Sequence, residues 1–138
     1  MNKHTRILAI CFLATASLFS CKDDPDPAPE NLYQRLGGIE AITLVVDKFL
    51  ANVVADNVIN GRFAATVADP ARTQLLRLNL IDQICAGSGG PCQYKGKTML
   101  EAHTGMNITE AEFNALVGDL VAALDFYQVP AQEKNDLL

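Results

Sequence analysis

The residue best placed to do chemistry in this 138-residue chain is His103. It ends a short apolar turn over residues 99–103, which follows a glycine- and proline-rich loop over residues 89–98. Gly105 stands two positions later, and glycine readily takes the left-handed conformation that ends a helix. A neutral imidazole can bind a metal ion through one ring nitrogen. A single histidine is more often an ordinary surface or core residue, so spacing alone supports a metal site only weakly.

The other histidine, His4, lies in an N-terminal segment that is typical of a secretory signal. Two basic residues precede an apolar run over residues 7–19, which is too short to span a bilayer as a mature helix. The run ends in Leu-Phe-Ser before Cys21, a pattern that resembles the site where bacterial signal peptidase cuts before a lipid-carrying cysteine. We therefore predict a lipoprotein signal peptide over residues 1–20 and lipidation of Cys21, with plain secretion as the alternative.

Acyl chains on Cys21 would attach the protein to a membrane without a spanning helix, which predicts a place on the outer membrane of a bacterial envelope. Residues 21–31 read as an acidic, proline-rich tether, and their Lys-Asp-Asp start resembles an export signal of surface-exposed lipoproteins. Loss of residues 1–20 moves the formal net charge from −5 to −7, because two basic residues and no acidic ones leave. An acidic chain without a basic run repels phosphate backbones, so nucleic acid is not a predicted partner.

Four cysteines are present, of which Cys11 leaves with the signal and Cys21 would carry lipid. Cys85 and Cys92 remain, seven positions apart across a glycine-rich turn. They could form a disulfide in an oxidising envelope or stay as two free thiols. Their spacing suits neither a zinc site nor a CxxC redox pair.

From residue 32 onward, apolar positions recur with helical spacing, and no window alternates long enough to predict a strand. The pair Asp69-Pro70 is typical of a helix start, and Pro130 suits the first turn of a last helix. Residues 75–85 are apolar on more than half of the helix surface. This predicts burial on two sides, against the protein and a cofactor, or simply a place in the middle of a helical core.

A local start signal follows His103, because Thr109 and Glu112 have the spacing of a capping box. The helix that begins there continues to about Tyr127. The sequence therefore predicts an all-α domain over residues 32–138.

The motifs of this domain resemble those of a group 1 truncated haemoglobin. Paired glycines are the most specific part, since this shortened globin needs them for sharp turns between helices. The matching motifs are Leu32-Tyr33-Gln34-Arg35-Leu36-Gly37-Gly38-Ile39-Glu40-Ala41-Ile42, Phe49, Ala55-Asp56, Phe63, Gly89-Gly90-Pro91, Tyr94, Gly96, Met99, His103, Gly105, Ile108-Thr109 and Phe113. The resemblance implies a two-on-two helical sandwich around haem b, with His103 as the proximal iron ligand.

The resemblance also implies a set of cofactor contacts around His103. Those carried over from the family's pocket or counted along the long helix are Phe49, Leu50, Phe63, Leu76, Leu80, Ile84, Tyr94, Lys97, Met99, Ile108, Phe113 and Leu116. A carbonyl near Met99 or Leu100 is expected to accept a hydrogen bond from the imidazole and so orient it. Lys95, Lys97 and Arg62 could pair with the haem propionates, or the lysines could simply be solvated charges.

On the distal side the chain departs from the family, whose members often have a tyrosine and a glutamine that hydrogen-bond the oxygen ligand. Leu50, Leu76 and Leu80 occupy the corresponding positions, so an apolar distal side is expected unless Asn79 or Gln83 turns inward. A hydrogen bond contributes about 1–1.5 kcal/mol, so oxygen should be held briefly. Without a second histidine, the iron is predicted to be five-coordinate.

The predicted function is reversible binding of oxygen, nitric oxide or carbon monoxide at this iron. One alternative is a haem-free helical interaction module on a globin scaffold, for which the apolar distal side and a last helix shorter than the family's leave room. Another is a nitric oxide dioxygenase, which would need a reductase partner. An enzyme is the less favoured class, and hydrolytic catalysis is disfavoured because no second histidine is available to act as a base.

Overall fold

The computed structural model describes residues 29–138, and the predictions for the signal peptide and Cys21 lie outside the described residues. The described part of the chain is helical and contains no strand, which confirms the all-α fold class. Its helices are α1 (Leu32–Arg35), α2 (Gly38–Ala55), α3 (Asn60–Val67), α4 (Pro70–Gly87), α5 (Met99–His103), α6 (Glu110–Phe126) and α7 (Ala131–Leu137). No helix among residues 29–138 combines the length and apolar character needed to cross a membrane.

The helix α2 is the centre of the domain, because both α4 and α6 pack directly on it. Its apolar face supplies two buried clusters. One cluster comprises Val45, Phe49, Val53, Ile59, Ala123 and Leu124, and the other comprises Ile42, Val46, Ile81 and Cys85. The helical spacing of these positions along α2 thus places a single helix between two partners.

Side-chain caps fix several helix starts. The carboxylate of Asp69 accepts hydrogen bonds from the backbone N–H groups of Ala71 and Arg72, and Pro70 is the first residue of α4, as the sequence predicts. The capping box of Thr109 and Glu112 at the start of α6 is confirmed. The last helix, α7, begins directly after Pro130, which is its N-cap residue.

Asn31 belongs to the helical domain rather than to the tether in which the sequence placed it. Its side chain caps α1 by accepting from the backbone N–H of Gln34, and its amide donates to the carbonyl of Gly89 at 2.9 Å. These bonds join the start of the domain to the loop that leads to α5.

One further expectation needs correction. Leu75 and Leu78 are 60% and 45% exposed, so α4 is not buried on two sides along its whole length. The reason is that α4 packs mainly on α2 through the face that carries Ile81 and Cys85.

A disulfide joins Cys85, near the end of α4, to Cys92 in the following loop, with a Cα–Cα distance of 5.7 Å. This resolves the choice between a disulfide and two thiols. The chain passes very close to this bond at Gly90, where a Cβ atom would lie 2.5 Å from the ring of Tyr33 and 2.7 Å from Cys85 Sγ. Only glycine fits there, which explains physically why a glycine occupies this loop position.

Candidate functional site

His103 is the last residue of α5, and its side chain is exposed. Its Nδ1 atom lies 2.7 Å from the carbonyl oxygen of Met99, one turn earlier, as predicted from the sequence. Because a carbonyl can only accept, Nδ1 carries the proton and donates. Within residues 29–138, Nε2 has no hydrogen-bond partner. The ring is therefore oriented by its own helix, and in a neutral imidazole this leaves Nε2 as the nitrogen that can bind a metal.

The short helix α5 is held by local bonds rather than by packing. Thr98 and Glu101 form a second capping box at its start. The hydroxyl of Thr98, and then its backbone N–H, lower the pKa of the Glu101 carboxyl by hydrogen bonding to it. Residues 97–111 are all exposed, and within the described chain α5 makes no extensive contact with another helix.

We refer to the exposed apolar side chains of α5 and the start of α6, together with the side of α4 that meets α5 at Gln83 and Met99, as the slot. Both α4 and α6 pack on α2. On the α5 and α6 side, Met99, Ile108 and Phe113 expose 42%, 43% and 58% of their surface. Several large apolar side chains exposed in the same stretch of chain as a histidine are unusual on a protein surface and point to an apolar ligand.

The remaining predicted apolar contacts lie deeper in the domain. Phe63, Leu80 and Leu116 pack against the cluster that contains Phe49, so residues from α2, α3, α4 and α6 meet there. Leu50 and Ile84 pack against the cluster around Val46 and Cys85. Leu76 is half-buried and belongs to neither cluster.

One polar side chain of α4 reaches across toward α5. The amide nitrogen of Gln83 donates to the sulfur of Met99 at 3.4 Å. Gln83 is one of two residues that the sequence singled out as possible polar groups on an otherwise apolar face. Its contact with Met99 shows that α4 and α5 face each other at this point.

The loop before α5 carries the two lysines. The phenolic O–H of Tyr94 donates to the carbonyl of Lys97 at 2.7 Å, which orders the backbone there, while the side chains of Lys95 and Lys97 are exposed. Tyr94 also packs so closely on Gly96 that a Cβ atom at that position would lie 2.4 Å from its oxygen. Tyr94 thus shapes the loop, and the two lysine side chains remain exposed just before α5.

Arg62 does not stay available, and this corrects its assignment as a propionate partner. Its guanidinium binds the carboxylate of Glu112 through two bonds of 2.6 and 2.8 Å. It also donates to the carbonyl of Met106 at 2.7 Å and to that of Asn107 at 3.3 Å. The hydrogen bonds from Arg62, followed by those from Thr109, lower the pKa of Glu112 to about 2. The ion pair in turn raises the pKa of Arg62.

Residues 31–138 match the family model of the bacterial-like globins. The chain belongs to this globin family. It is 33% identical over 110 residues to the group 1 truncated hemoglobin GlbN of Mycolicibacterium paratuberculosis, a match that covers 80% of this chain and 77% of that protein. It is 36% identical over 96 residues to the group 1 truncated hemoglobin of Tetrahymena pyriformis, covering 70% of this chain and 75% of that protein.

Solved structures agree with the sequence comparison. The truncated hemoglobin from Tetrahymena pyriformis in its Fe(III) form superposes with a TM-score of 0.69 at 30% identity, covering 78% of this globin and 88% of that chain. The 2/2 hemoglobin from Synechococcus sp. PCC 7002, in the cyanomet state with covalently attached heme, gives a TM-score of 0.64 at 28% identity and covers 79% and 98%. The resemblance to group 1 truncated haemoglobins and the truncated-globin fold are confirmed.

The family also supports haem as the predicted cofactor, because globins are haem proteins. The residues of this globin fit such a group. His103 offers one nitrogen that can bind a metal, the slot offers apolar side chains, and two exposed lysines lie just before α5. Within residues 29–138, no group of three or more His, Cys, Asp or Glu side chains is arranged around a metal position. A planar cofactor that supplies four metal ligands itself requires only one from the protein.

Sequence reasoning missed two features of this globin. It did not find the contact of Arg62 with Glu112, which are 50 positions apart and carry no local signal of their pairing. It also left the disulfide open, since spacing does not define the approach of two Cα atoms. A separate apolar cavity of about 200 Å³ lies away from His103, lined by residues that include Ile42, Val45, Ile84, Leu124 and Val129.

Proposed function

We propose that this globin binds haem b in the slot and reversibly binds oxygen, nitric oxide or carbon monoxide there. The observation that carries the proposal is the state of His103. Its Nδ1 is hydrogen-bonded to the Met99 carbonyl, the residue is exposed, and its Nε2 has no hydrogen-bond partner within residues 29–138. When bound, haem supplies an iron atom with a coordination position for a diatomic ligand.

The chain's own residues have separable tasks in this proposal. His103 would be the protein's one iron ligand, and the Met99 carbonyl keeps its ring in one tautomer and orientation. Met99, Ile108 and Phe113 would exclude water from one face of the porphyrin. Because the chain has no other histidine beyond His4, which we assign to the signal peptide, the iron would be five-coordinate.

The opposite face would be bounded by the predicted distal residues Leu50, Leu76 and Leu80. None of these side chains can donate a hydrogen bond, so a polar ligand would gain no direct stabilisation from them. Gln83 is engaged with Met99 rather than free. We infer that oxygen is released quickly while carbon monoxide, which depends little on such a bond, is retained. Nitric oxide dioxygenation would require stable oxygen binding and an external reductase, and the apolar residues disfavour the first.

Absorption spectra of the purified protein test the proposal. We expect a Soret band after haem addition that shifts when the reduced protein is exposed to carbon monoxide. His103→Gly should lose the five-coordinate spectrum, and added imidazole should restore it, because the free base can replace the missing ligand. A wild-type protein that stays colourless would favour the haem-free interaction module. A His103→Gly spectrum identical to the wild type would show that another atom binds the iron.

We also propose that the globin is attached to the outer membrane of a bacterial envelope through acyl chains on Cys21. The support is the N-terminal sequence pattern alone, with its apolar run and the small residue before Cys21. Mass spectrometry of the mature N-terminus should find an acylated cysteine in the membrane fraction. Cys21→Ala should move the protein to the soluble fraction, and an unmodified N-terminus at another residue would contradict the proposal.

A further inference from the structure

The side chain of Arg62 forms a clamp between two parts of the globin that share few other contacts. Arg62 lies on α3, and its guanidinium donates four hydrogen bonds to residues beyond α5. Two go to the carboxylate of Glu112, and one each goes to the carbonyls of Met106 and Asn107. A guanidinium has five N–H groups, so its donors are almost fully used. Bidentate pairs of this kind are both stronger and more directional than a single ion contact.

The clamp acts directly on the segment that follows His103. The backbone N–H of Met106 donates to the carbonyl of His103 at 3.1 Å, so a residue held by Arg62 is bonded to the histidine itself. Gly105 and Asn107 have φ values of 79° and 47°, which makes this a sharply turned segment. Glycine and asparagine both reach positive φ readily, so contacts from outside the turn help to select this one conformation. The Arg62 bonds to the two carbonyls supply such contacts.

The start of α5 is fixed differently, by the disulfide, by Tyr94 and by the capping box of Thr98 and Glu101. Since α5 does not pack extensively on another helix within the described residues, its far end depends on the polar contacts that follow it. Loss of the Arg62 clamp would leave the end that carries His103 attached only through its own backbone.

We propose that Arg62 is a positioning residue that sets the place of His103 relative to the slot, an inference that depends on the proposed haem function. It touches neither the imidazole nor the apolar surface, and it acts through Met106 and the turn after His103. Its removal should allow α5 to sample several positions, which weakens the bond from the histidine to iron. Residues that orient a metal ligand from outside typically change metal affinity by about 10–100-fold when they are replaced.

The globin offers a matched control in Arg77. It binds Asp47 through the same two-pronged geometry, at 2.5 and 2.9 Å, and its side chain is similarly half-exposed. This second clamp joins α4 to α2, both of which belong to the packed core, and no hydrogen bond or ion pair connects it to residues 97–111. Arg62→Gln and Arg77→Gln therefore both remove a two-pronged carboxylate pair, and Arg62→Gln also removes the two bonds to the carbonyls after His103.

The test uses the haem-loaded protein and two readouts. Resonance Raman of the reduced form reports the iron–histidine stretch, and transfer to apomyoglobin reports the rate of haem loss. We expect Arg62→Gln to broaden or lower the stretch and to speed haem loss about tenfold, at the low end of the range for such residues. Arg77→Gln should leave both unchanged even if it lowers Tm. Equal behaviour of the two variants in both readouts would overturn the proposal.

Further measurements keep the proposal falsifiable if Arg62→Gln folds poorly. Arg62→Lys keeps the charge but loses the two-pronged geometry, so it should give intermediate values. In the haem-free protein, Glu112→Gln should speed amide hydrogen exchange at residues 103–109, and Arg77→Gln should not. The double variant Arg62→Gln/Glu112→Gln should lose haem about as fast as Arg62→Gln alone, because both residues act through one contact, and fully additive effects would contradict this. A wild type that binds no haem would overturn the proposed function and this inference together, whereas a haem-bound wild type with a silent Arg62→Gln would overturn only the inference.

Discussion

The packed core and the His103 segment, residues 97–111, are stabilised by different forces. In the core, side chains such as Val46, Val53 and Leu124 are almost completely buried between α2 and its partners. In the His103 segment every residue is exposed, and capping boxes, the Nδ1 bond and the Arg62 clamp define the conformation. The fold therefore depends on apolar burial, and the geometry of the site depends on hydrogen bonds. Substitutions should separate the two.

The largest difference in unfolding free energy is expected when a leucine is replaced by alanine in each of the two regions. Leu124→Ala should lower the free energy of unfolding by about 2–5 kcal/mol, because Leu124 is 1% exposed and its loss leaves a cavity. Leu100→Ala should change it by no more than about 0.5 kcal/mol, because Leu100 is 79% exposed. Urea unfolding followed by circular dichroism measures both. A cost at Leu100 as large as at Leu124 would mean that α5 is part of the packed core.

The disulfide links the two regions, because Cys85 is buried in the core and Cys92 lies in the loop before α5. Replacing both with alanine should cost about 2–3 kcal/mol, the entropy term for a closed loop of about eight residues. A reducing agent should lower the Tm of the wild type and leave that of the double variant unchanged. If reduction has no effect on the wild type, the bond contributes nothing to stability.

The rate of oxygen release tests residue 50, which packs on the core and is predicted to face the bound ligand. Leu50→Tyr would introduce a hydroxyl donor on the predicted distal side, and Leu50→Phe adds a similar ring without it. Oxygen release should be about tenfold slower in the tyrosine variant than in the phenylalanine variant, matching one hydrogen bond of about 1–1.5 kcal/mol. Stopped-flow measurement should show little difference for carbon monoxide. Equal oxygen rates would place residue 50 out of reach of the ligand.

The pH dependence of stability tests how much the hydrogen bonds of Glu112 contribute to the His103 segment. Its pKa is lowered from an ordinary value near 4.5 to about 2, so the native state holds its charge more firmly than the unfolded state does. The stability it contributes is therefore fully present above about pH 4.5 and is lost as the pH falls toward 2. Glu112→Gln should lower Tm at pH 7, and the difference from the wild type should disappear near pH 2.

Glu101→Gln is the control for that measurement, since Glu101 occupies the same capping-box position on α5 without an arginine partner. The first cause of the lowered pKa at Glu112 is Arg62, so the Tm loss should be larger for Glu112→Gln than for Glu101→Gln. Losses of equal size would assign the effect to the capping boxes alone.

The smallest expected effect has the opposite sign and comes from Asp119, also on α6. One of its carboxylate oxygens is buried without a hydrogen-bond partner within residues 29–138, and burial, then the charge of Asp56, raises its pKa. Its ionisation therefore costs stability as the pH rises through the raised pKa. Asp119→Asn should raise Tm at pH 7, by no more than about 4 °C, and not at pH 3. Asp125→Asn, which removes the exposed partner of Lys134, should give no rise.

Features that depend on near neighbours in the chain could be predicted from the sequence. The bond from His103 to the Met99 carbonyl, the Thr109–Glu112 box and the Asp69-Pro70 helix start all join residues within four positions. Their physical rules are local, so one sequence contains all the information they need. The family resemblance extended the prediction to the fold, through glycines at turns that no side chain could occupy.

Features that depend on approach in three dimensions could not be predicted in the same way. Arg62 contacts Glu112, which lies 50 positions later in the chain. The residues around Arg62 do not indicate that this arginine, and not Lys95 or Lys97, pairs with Glu112. The exposure of Leu75 was missed because periodicity gives the faces of a helix but not the number of its partners. The disulfide likewise depends on a close approach in three dimensions, because the backbone at Gly90 passes so near Cys85 Sγ that a Cβ atom would not fit.

The helix that bears His103 is only five residues long, and it contains both its own cap and the carbonyl that orients the ring. The conformation of this short helix therefore depends on six consecutive residues, from Thr98 to His103. The orientation of the imidazole on its own helix is thus set within this unit, whereas the place of the unit in the molecule depends on the turn that Arg62 holds. Grafted onto another helical scaffold with Thr98 and Glu101 intact, this hexapeptide should present its histidine in the same rotamer.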